Sequence, residues 1–323
     1  MTQINTLNPH DRPPDTIRQT YKKHQKRSLV DIDSDSTIID PQRLDPHHLP
    51  PGIGLPRWSS GEDLRPAFDQ FIQGDSSSIE GALPESIPVF THQSVSDSTD
   101  TQDVPSSGGS TTLDSQPLSF FQDDPARLFY PKNPDVHKPI TVRSMLEKKL
   151  RWVTLGGQYD WTAKIYPSGR PPRFPEDATA LLRAAFPETD AQAAILNVYS
   201  AGDTLSPHRD VSEECDVGLI SVSFGCDGLF LISHDNGDGC EIIRLRSGDA
   251  VYMNGLSRFA WHGVPKIVPD TCPDWLADWP CLDNKPETSP YKAWKRWMSG
   301  KRVNLNVRQL TGPSPLGAAD TEH

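Results

Sequence analysis

The sequence predicts an α+β, mainly β fold: an antiparallel double-sheet barrel with helices packed on one side, preceded by a long disordered region. Several short runs rich in β-branched and aromatic residues follow one amphipathic helix and are separated by Gly, Asp, Asn and Ser. No helix of crossover length separates the runs between residues 195 and 254, which disfavours a parallel doubly wound sheet. The 31 Pro, 22 Gly and 35% apolar residues among 323 indicate one folded domain with long tails.

The composition of the first 130 residues disfavours a packed core. Residues 1–27 carry six Lys or Arg against two Asp, and residues 28–130 carry four Arg against seventeen Asp or Glu among runs of Ser and Thr. Such a chain buries too little apolar surface to offset its ordering entropy. We therefore predict that residues 1–130 are largely disordered, with a basic N-terminus followed by an acidic Ser/Thr-rich segment. The folded domain is expected over residues 131–311, and a flexible tail over 312–323.

The elements of the barrel can be predicted in chain order. The run LRPAFDQFIQG at 64–74 predicts either a docking helix or an isolated turn. RSMLEKKL is helix-like, RWVTLGGQYDW suits a strand, and PEDATALLRAAFPETD begins a helix with one apolar face that Pro187 ends. The strands that follow are predicted in AILNVYS, VGLISVSFG, GLFLIS, EIIRL, DAVYMN and RVNLNVRQL.

Composition also excludes several classes of protein. No run of about 18 apolar residues occurs, so no membrane-spanning helix is predicted. The N-terminus lacks the apolar run of a secretory signal, and we expect an intracellular protein of the nucleus, the cytoplasm or both, with the mitochondrion left open. Five cysteines without a C-x-x-C pair predict free thiols rather than a zinc ribbon or a disulfide framework. We expect a monomer.

Two histidines and one aspartate are candidate metal ligands. His208 and Asp210 lie two residues apart, so in extended backbone their side chains leave the same face. His262 follows the strand DAVYMN, and one barrel mouth would then present two imidazoles and one carboxylate. That set leaves three octahedral positions open, as in non-haem Fe(II) oxygenases, whereas zinc is usually tetrahedral. His234 is an alternative ligand, but it lies among turn formers, where a solvated histidine is expected.

The last strand, RVNLNVRQL, alternates between polar and apolar residues. Its polar face carries Arg302, Asn304, Asn306 and Arg308. A surface strand with its apolar face on the core gives the same alternation. Arg and Asn, however, suit planar recognition of a carboxylate, and guanidiniums that point into a barrel require an anion. A small dicarboxylate beside iron would meet that need.

These residues resemble the signature of the AlkB-like Fe(II)/2-oxoglutarate dioxygenases over about residues 141–311. The shared positions are Asn197, Tyr199, His208, Asp210, His262, Arg302, Asn304 and Arg308. MLEKKLRWVTLGGQYDWTAKIYP, AILNVYSAGDTLSPHRDVSE, ISVSFG and SGDAVYMNGLSRFAWHGVP are similar to the eukaryotic AlkB homologue 1 type. The resemblance implies a double-stranded β-helix (jelly-roll) barrel. One departure is that residues 75–130 hold only fragments of the apolar strand and helix that complete the sheet edge in that branch.

The resemblance also implies a role for each shared residue. Fe(II) would be held by His208, Asp210 and His262. Arg302 would pair with the distal carboxylate of the co-substrate 2-oxoglutarate, and Tyr199 and Asn304 would add hydrogen bonds. Asn197 and Arg308 would lie near the end of 2-oxoglutarate that chelates the metal. With O₂ as second co-substrate, 2-oxoglutarate would give succinate and CO₂. A hydroxylated N-methyl group would shed formaldehyde, while a C-methyl group would stop at hydroxymethyl or formyl.

Substrate contacts are expected from two regions. A base in nucleic acid must be splayed out and stacked before it can react. The resemblance suggests a lid made by Tyr159, Trp161, Lys164 and Tyr166, although ordinary core packing of these aromatics is left open. The segment from Lys266 to Lys301 holds four Trp and is predicted to flank the cleft, with Lys295 and Arg296 as nucleic-acid contacts.

The predicted function is oxidative demethylation of methylated bases in nucleic acid, either RNA, with tRNA as the first candidate, or DNA. Two alternatives stay open. One is a 2-oxoglutarate oxygenase that hydroxylates proteins or small molecules. The other is a non-catalytic interaction protein.

Overall fold

A computed structural model describes residues 7–45, 47–48, 64–73, 119–131, 133–160, 165–166, 173–234, 237–282 and 288–312. The α-helices in these ranges are α1 Asp15–Gln25, α2 Leu29–Ser34, α3 Arg65–Gln73, α4 Val142–Ser144, α5 Glu176–Ala185 and α6 Asp274–Ala277. The strands are β1 Ile38–Ile39, β2 Leu128–Phe129, β3 Ile140–Thr141, β4 Trp152–Gly156, β5 Ala193–Ser200, β6 Leu205–His208, β7 Leu219–Gly225, β8 Gly228–Ser233, β9 Cys240–Leu245, β10 Ala250–Met253, β11 His262–Ile267 and β12 Lys301–Arg308. None of the described helices is long and apolar enough to cross a membrane.

Two five-stranded sheets form the body of the domain. Sheet I has the strand order β1-β9-β8-β11-β6, and sheet II has the order β10-β7-β12-β5-β4. Within both sheets the neighbouring strands are antiparallel, apart from the parallel β1–β9 pair. Apolar side chains of both sheets meet in one interior cluster that includes Tyr199 and Met253 of sheet II and Phe230 and Val264 of sheet I. The six strand runs named after helix α5 are all present as strands, and helix α5 is where its sequence predicts it.

Two of the strands that were not predicted each carry one of the candidate histidines. β6 ends at His208 and β11 begins at His262. Both contain a proline, Pro207 and Pro265, which removes a ladder hydrogen bond and weakens the strand signal in the sequence. In β11 the proline is tolerated because the register of the pairing with β8 shifts between Gly263 and Lys266.

The outer face of sheet II is covered by helices. Phe71 of α3 and Leu182 of α5 pack with Ile220, Leu305 and Val307 in one buried cluster. The run at 64–74 is therefore a docking helix and not an isolated turn. The apolar face of β12 points into this layer, so its polar face points into the space between the sheets.

The N-terminal region covers the outer face of sheet I with α1 and adds β1 to the edge of that sheet. Ile17 and Tyr21 of α1 pack against Leu229 and Leu231 of β8, and β1 pairs with β9 at the sheet edge. The structure thus differs from the disorder expected over residues 15–43. The few apolar residues of this segment occur at spacings that place them on one face, and its charged composition conceals them. The sequence of residues 75–130 holds only fragments of the elements expected at the sheet edge, and β1 supplies an edge strand to sheet I.

Docking of α1 gives a testable effect on stability. Ile17 is fully buried, and Ile17→Ala is expected to lower the free energy of unfolding by about 2–4 kcal/mol, since Ile→Ala in a core removes apolar contacts and leaves a cavity. Gln19→Ala, on the exposed face of the same helix, should change it by under about 0.5 kcal/mol. Urea unfolding followed by tryptophan fluorescence measures both. Equal stability of the two variants would contradict a docked α1.

Candidate functional site

Three candidate ligands converge at one end of the space between the sheets. His208 and His262 are directly opposite each other in the β6–β11 pairing, with ring centroids 4.4 Å apart. Asp210 follows β6, and its Oδ1 lies 3.7 Å from His208 Nε2 while its Oδ2 lies 3.8 Å from His262 Nε2. All three ligand atoms lie within 4.8 Å of one another. Cross-strand register, not proximity in sequence, brings the second histidine to the first pair.

The imidazoles are oriented for metal binding by their backbone contacts. His208 Nδ1 lies 2.9 Å from the Ser206 carbonyl oxygen and His262 Nδ1 lies 3.1 Å from the Ala260 carbonyl oxygen. Donation from Nδ1–H to a carbonyl leaves Nε2 as the free ligand atom. Burial, together with the neighbouring His208 ring, lowers the pKa of His262 to about 4. His262 is therefore neutral at pH 7, the form that coordinates a metal.

Asp210 is held as a carboxylate. Burial opposes its ionisation, but the Arg308 guanidinium and the two histidines hold its pKa well below the usual range of an aspartate. Two imidazole nitrogens and one carboxylate oxygen on one side of a centre fit Fe(II) with three positions left open. His234 is not part of this group: it pairs with Asp238 and Glu241 on an exposed hairpin.

A cavity of about 40 Å³ extends from this group into the space between the sheets. It is lined by Asn197, Leu205, His208, Asp210, Ser221, Phe230, Leu245, His262, Gly263, Val264, Arg302, Asn304, Asn306 and Arg308. The structure therefore places four of the five predicted co-substrate residues on its wall. The fifth, Tyr199, is buried and lies opposite Arg302 in the β5–β12 pairing. Ser221 is a lining residue that sequence reasoning missed, because nothing in its local sequence marks which face of β7 is inside.

Arg302 is a buried cation without a carboxylate partner among the described residues. It is 2% exposed, and it donates to the carbonyls of Cys226 and Leu245 at 3.1 and 3.2 Å and to the Ser223 hydroxyl at 2.7 Å. Burial lowers its pKa to about 10, so it stays charged at pH 7.

Two polar atoms beside this cation have no hydrogen-bond partner within the described ranges. They are Arg302 Nε and the Tyr199 hydroxyl, and both are buried. Gly228 makes room for the guanidinium, since a Cβ there would lie 2.7 Å from Nε. A buried positive charge with unused donors fits a carboxylate anion, as the charge is otherwise costly to desolvate.

Arg308 has a different set of partners. Its Nη2 donates to Asp210 at 2.6 Å and its Nε lies 2.9 Å from Glu213. Two protein carboxylates thus already neutralise this guanidinium. At the metal end of the cavity, Arg308 contacts the candidate metal ligand Asp210. Asn304 is also engaged, since its amide donates to the Ser221 hydroxyl and the Val222 carbonyl, each at 3.0 Å.

The predicted lid residues are partly placed. Tyr159 and Tyr166 stack edge to face with centroids 5.1 Å apart, and the Tyr159 hydroxyl lies 3.3 Å from Ser212 Oγ, two residues after Asp210. Burial raises the pKa of Tyr166 to about 12. Trp161 and Lys164 lie outside the described residues.

Lys295 and Arg296 are exposed, and the structure does not bring them to the cavity wall. Their neighbours Trp294 and Trp297 are buried with Leu146 in a cluster that also holds Val303, on the apolar face of β12. Contact of Lys295 and Arg296 with nucleic acid stays a prediction. The Trp residues cover the back of sheet II because their apolar surface is best buried there.

Trp152 is an aromatic residue of the site region that sequence reasoning did not single out. It lies opposite Asn197 in the β4–β5 pairing, so both side chains are on the cavity face of sheet II. It is nonetheless 43% exposed, because β4 is the last strand of the sheet. The sequence predicts the strand, but its alternation does not reveal which neighbour it pairs with.

Comparison with known proteins agrees with this geometry. A family model described as the 2OG-Fe(II) oxygenase superfamily matches residues 120–308. The N6-methyladenosine RNA demethylase ALKBH of Cryphonectria parasitica is 52% identical over 210 residues, which are 60% of this chain and 92% of that protein. The N6-methyladenosine RNA demethylase ALKB1 of Pyricularia oryzae is 51% identical over 59% of this chain and 57% of its own length. The tRNA demethylase abh1 of Schizosaccharomyces pombe is 47% identical over 54% of this chain and 57% of its own length.

Proposed function

This chain belongs to the 2OG-Fe(II) oxygenase superfamily, in its AlkB-like group, and on that premise we propose that it demethylates methylated bases in nucleic acid. One observation carries the proposal: the three ligands His208, Asp210 and His262 open onto a cavity that also reaches a buried Arg302, which has no carboxylate partner among the described residues. RNA is the first substrate to test, because the relatives at 47–52% identity are named RNA or tRNA demethylases. We also propose that sheets I and II form a double-stranded β-helix (jelly roll), which their antiparallel pairing and shared interior support.

The superfamily uses Fe(II), 2-oxoglutarate and O₂. When bound, Fe(II) would activate O₂, the oxidant that couples loss of CO₂ from 2-oxoglutarate to hydroxylation of a methyl group on the base. The chain provides the ligand set, with His262 neutral and Asp210 ionised. Hydroxylation of an N-methyl carbon gives a product that releases formaldehyde.

Arg302 is the group that orients the co-substrate. Its guanidinium is held by the Cys226 and Leu245 carbonyls and the Ser223 hydroxyl, so it is preorganised before an anion arrives. The Tyr199 hydroxyl and Arg302 Nε are available as further donors. We assign the distal carboxylate of 2-oxoglutarate to these atoms. Its other end then lies toward the ligand set along the cavity wall.

Phe230 contributes by limiting access of water. It belongs to the apolar cluster between the sheets, and its ring lies 6.0 Å from that of His262. A dry wall strengthens the electrostatic contacts of Arg302 and Asp210 with their partners. The apolar side of the cavity therefore strengthens binding at its two charged ends.

Trp152 is proposed to stack on the substrate base. Trp152→Ala is expected to weaken binding of a methylated oligonucleotide about tenfold, since base–aromatic stacking contributes about 1–3 kcal/mol. The KM for 2-oxoglutarate should not change. Trp275→Ala is the matched control, because Trp275 is equally exposed, at 42%, but lies on α6 and not on a strand of sheet II. Fluorescence anisotropy of a labelled oligonucleotide measures the effect, and equal affinity of the two variants would argue against stacking.

The proposed activity is tested by nucleoside mass spectrometry. Methylated RNA and DNA oligonucleotides are incubated with protein, Fe(II) and 2-oxoglutarate, and loss of the methylated nucleoside is compared with release of succinate and formaldehyde. We expect equimolar loss and release with at least one oligonucleotide. Succinate release stimulated by peptides, and by none of the oligonucleotides, would instead support a protein hydroxylase. Absence of Fe(II) binding would support a non-catalytic protein.

A further inference from the structure

A buried chain of four alternating charges extends outward from Asp210. Arg308 contacts Asp210 at 2.6 Å and Glu213 at 2.9 Å, and Glu213 in turn contacts Arg258 at 3.0 Å. Glu213 is 5% exposed and Arg258 is 1% exposed. Neither Glu213 nor Arg258 lines the cavity, so they do not reach a co-substrate there. The chain ends on a guanidinium that the described chemistry does not use.

Arg258 joins the two segments that carry the ligands. Its Nη1 donates to the backbone carbonyl of Asp210 at 2.9 Å, and its Nε donates to the carbonyl of Val217 at 2.7 Å. It lies only four positions before His262, directly after the 3₁₀ turn Gly255–Ser257. One side chain therefore ties the loop that follows β6 to the chain that leads into β11.

We propose that Glu213 and Arg258 are positioning residues that set the geometry of the Asp210 carboxylate toward the metal, an inference that rests on the proposed function. Glu213 shares the Arg308 guanidinium with Asp210. Without the Glu213 charge, Arg308 is drawn more strongly to Asp210 and competes with the metal for its oxygens. Without the Arg258 guanidinium, the backbone carbonyl of Asp210 loses a hydrogen-bond donor and the buried Glu213 carboxylate loses one of its ion-pair partners.

The positions of the four groups favour this role over a purely stabilising one. In a buried ion pair, the attraction between the charges is largely offset by the free-energy cost of removing them from water. The presence of such a pair is therefore weak support for a stabilising role. Here each charge contacts either a ligand or a group that contacts a ligand. Partners of this kind orient metal ligands, and their removal typically weakens metal binding about 10- to 100-fold.

The test compares Glu213→Gln and Arg258→Lys with a matched control in the full chain. Arg244→Lys alters another buried arginine, which pairs with Asp227 at 2.8 Å on the outer face of sheet I. Mn(II) is the probe, and EPR of the free ion gives its dissociation constant without any turnover. Circular dichroism gives the melting temperature of each variant, and titrations are done well below it.

Glu213→Gln and Arg258→Lys are each expected to raise the dissociation constant of Mn(II) about tenfold, while Arg244→Lys leaves it within twofold. Glutamine keeps the volume of Glu213 and one of its two acceptor oxygens, so this variant tests the proposal even if Arg258→Lys does not fold. Wild-type affinity in folded Glu213→Gln would overturn the positioning role and leave the proposed function intact. Failure of the wild-type protein to bind Mn(II) would overturn both. An equal loss in Arg244→Lys would show general destabilisation and reject the inference.

Discussion

Asp210→Asn is expected to lower turnover at least about a hundredfold, because metal-ion catalysis contributes several kcal/mol to the transition state. The asparagine offers one neutral oxygen in place of an anionic ligand. It also removes the carboxylate that Arg308 contacts at 2.6 Å, which leaves that guanidinium with Glu213 alone. Both changes disfavour a divalent cation between His208 and His262. Succinate release and Mn(II) binding measure the two consequences separately.

Asp238→Asn is the control for this variant. Asp238 also lies beside a histidine, with its Oδ1 3.6 Å from His234 Nδ1, but the pair is on the exposed β8–β9 hairpin. Its turnover and Mn(II) affinity should match the wild type. Turnover by Asp210→Asn at more than a tenth of the wild-type rate would show that Asp210 is not a ligand and would remove the basis of the enzyme assignment.

Arg302→Lys is expected to raise the KM for 2-oxoglutarate roughly thirtyfold, since a hydrogen bond to a charged group contributes about 2 kcal/mol. Lysine keeps the positive charge but replaces a planar fork by a single ammonium. The lysine cannot hold the Cys226 and Leu245 carbonyls and the Ser223 hydroxyl while also reaching an anion. The effect should appear mainly in KM, because the metal ligands are unchanged.

A thermal-shift measurement gives an independent readout of the same contact. In the presence of Mn(II), 2-oxoglutarate should raise the melting temperature of the wild type, because a ligand that binds only the folded state stabilises it. The shift should be much smaller for Arg302→Lys. Arg246→Lys is the control: Arg246 is largely buried and paired with Asp40, away from the cavity. An unchanged KM in Arg302→Lys would place the co-substrate elsewhere.

The candidate site could be predicted in large part because its chemistry depends on residue type and local spacing. His208 and Asp210 are two residues apart in sequence, and the alternation in β12 places four polar residues on one face regardless of the rest of the fold. The strands with uninterrupted β-branched runs were predicted for the same reason. The prolines of β6 and β11 concealed two strands, although these are the strands that bring the histidines together.

Burial was the property that the sequence predicted least well. Lys295 and Arg296 have the composition of a nucleic-acid contact, yet their neighbours Trp294 and Trp297 pack behind sheet II. Ile17 and Tyr21 lie in a charge-rich segment that reads as disordered, yet they cover sheet I. Which apolar residue finds a partner depends on surfaces formed by distant parts of the chain.

The sequence by itself determined the chemical groups available: the iron-binding residue types, an arginine and amide face, and an antiparallel β fold. These follow from side-chain chemistry and from the twofold period of a strand, which are local properties. Only the tertiary structure decided that Arg302 is buried with no carboxylate partner in the described ranges, that Trp152 shares a face with Asn197, and that Arg258 contacts both Glu213 and the Asp210 backbone. Those relations join residues tens of positions apart, and they exist only after strand register and sheet packing have fixed which side chains meet.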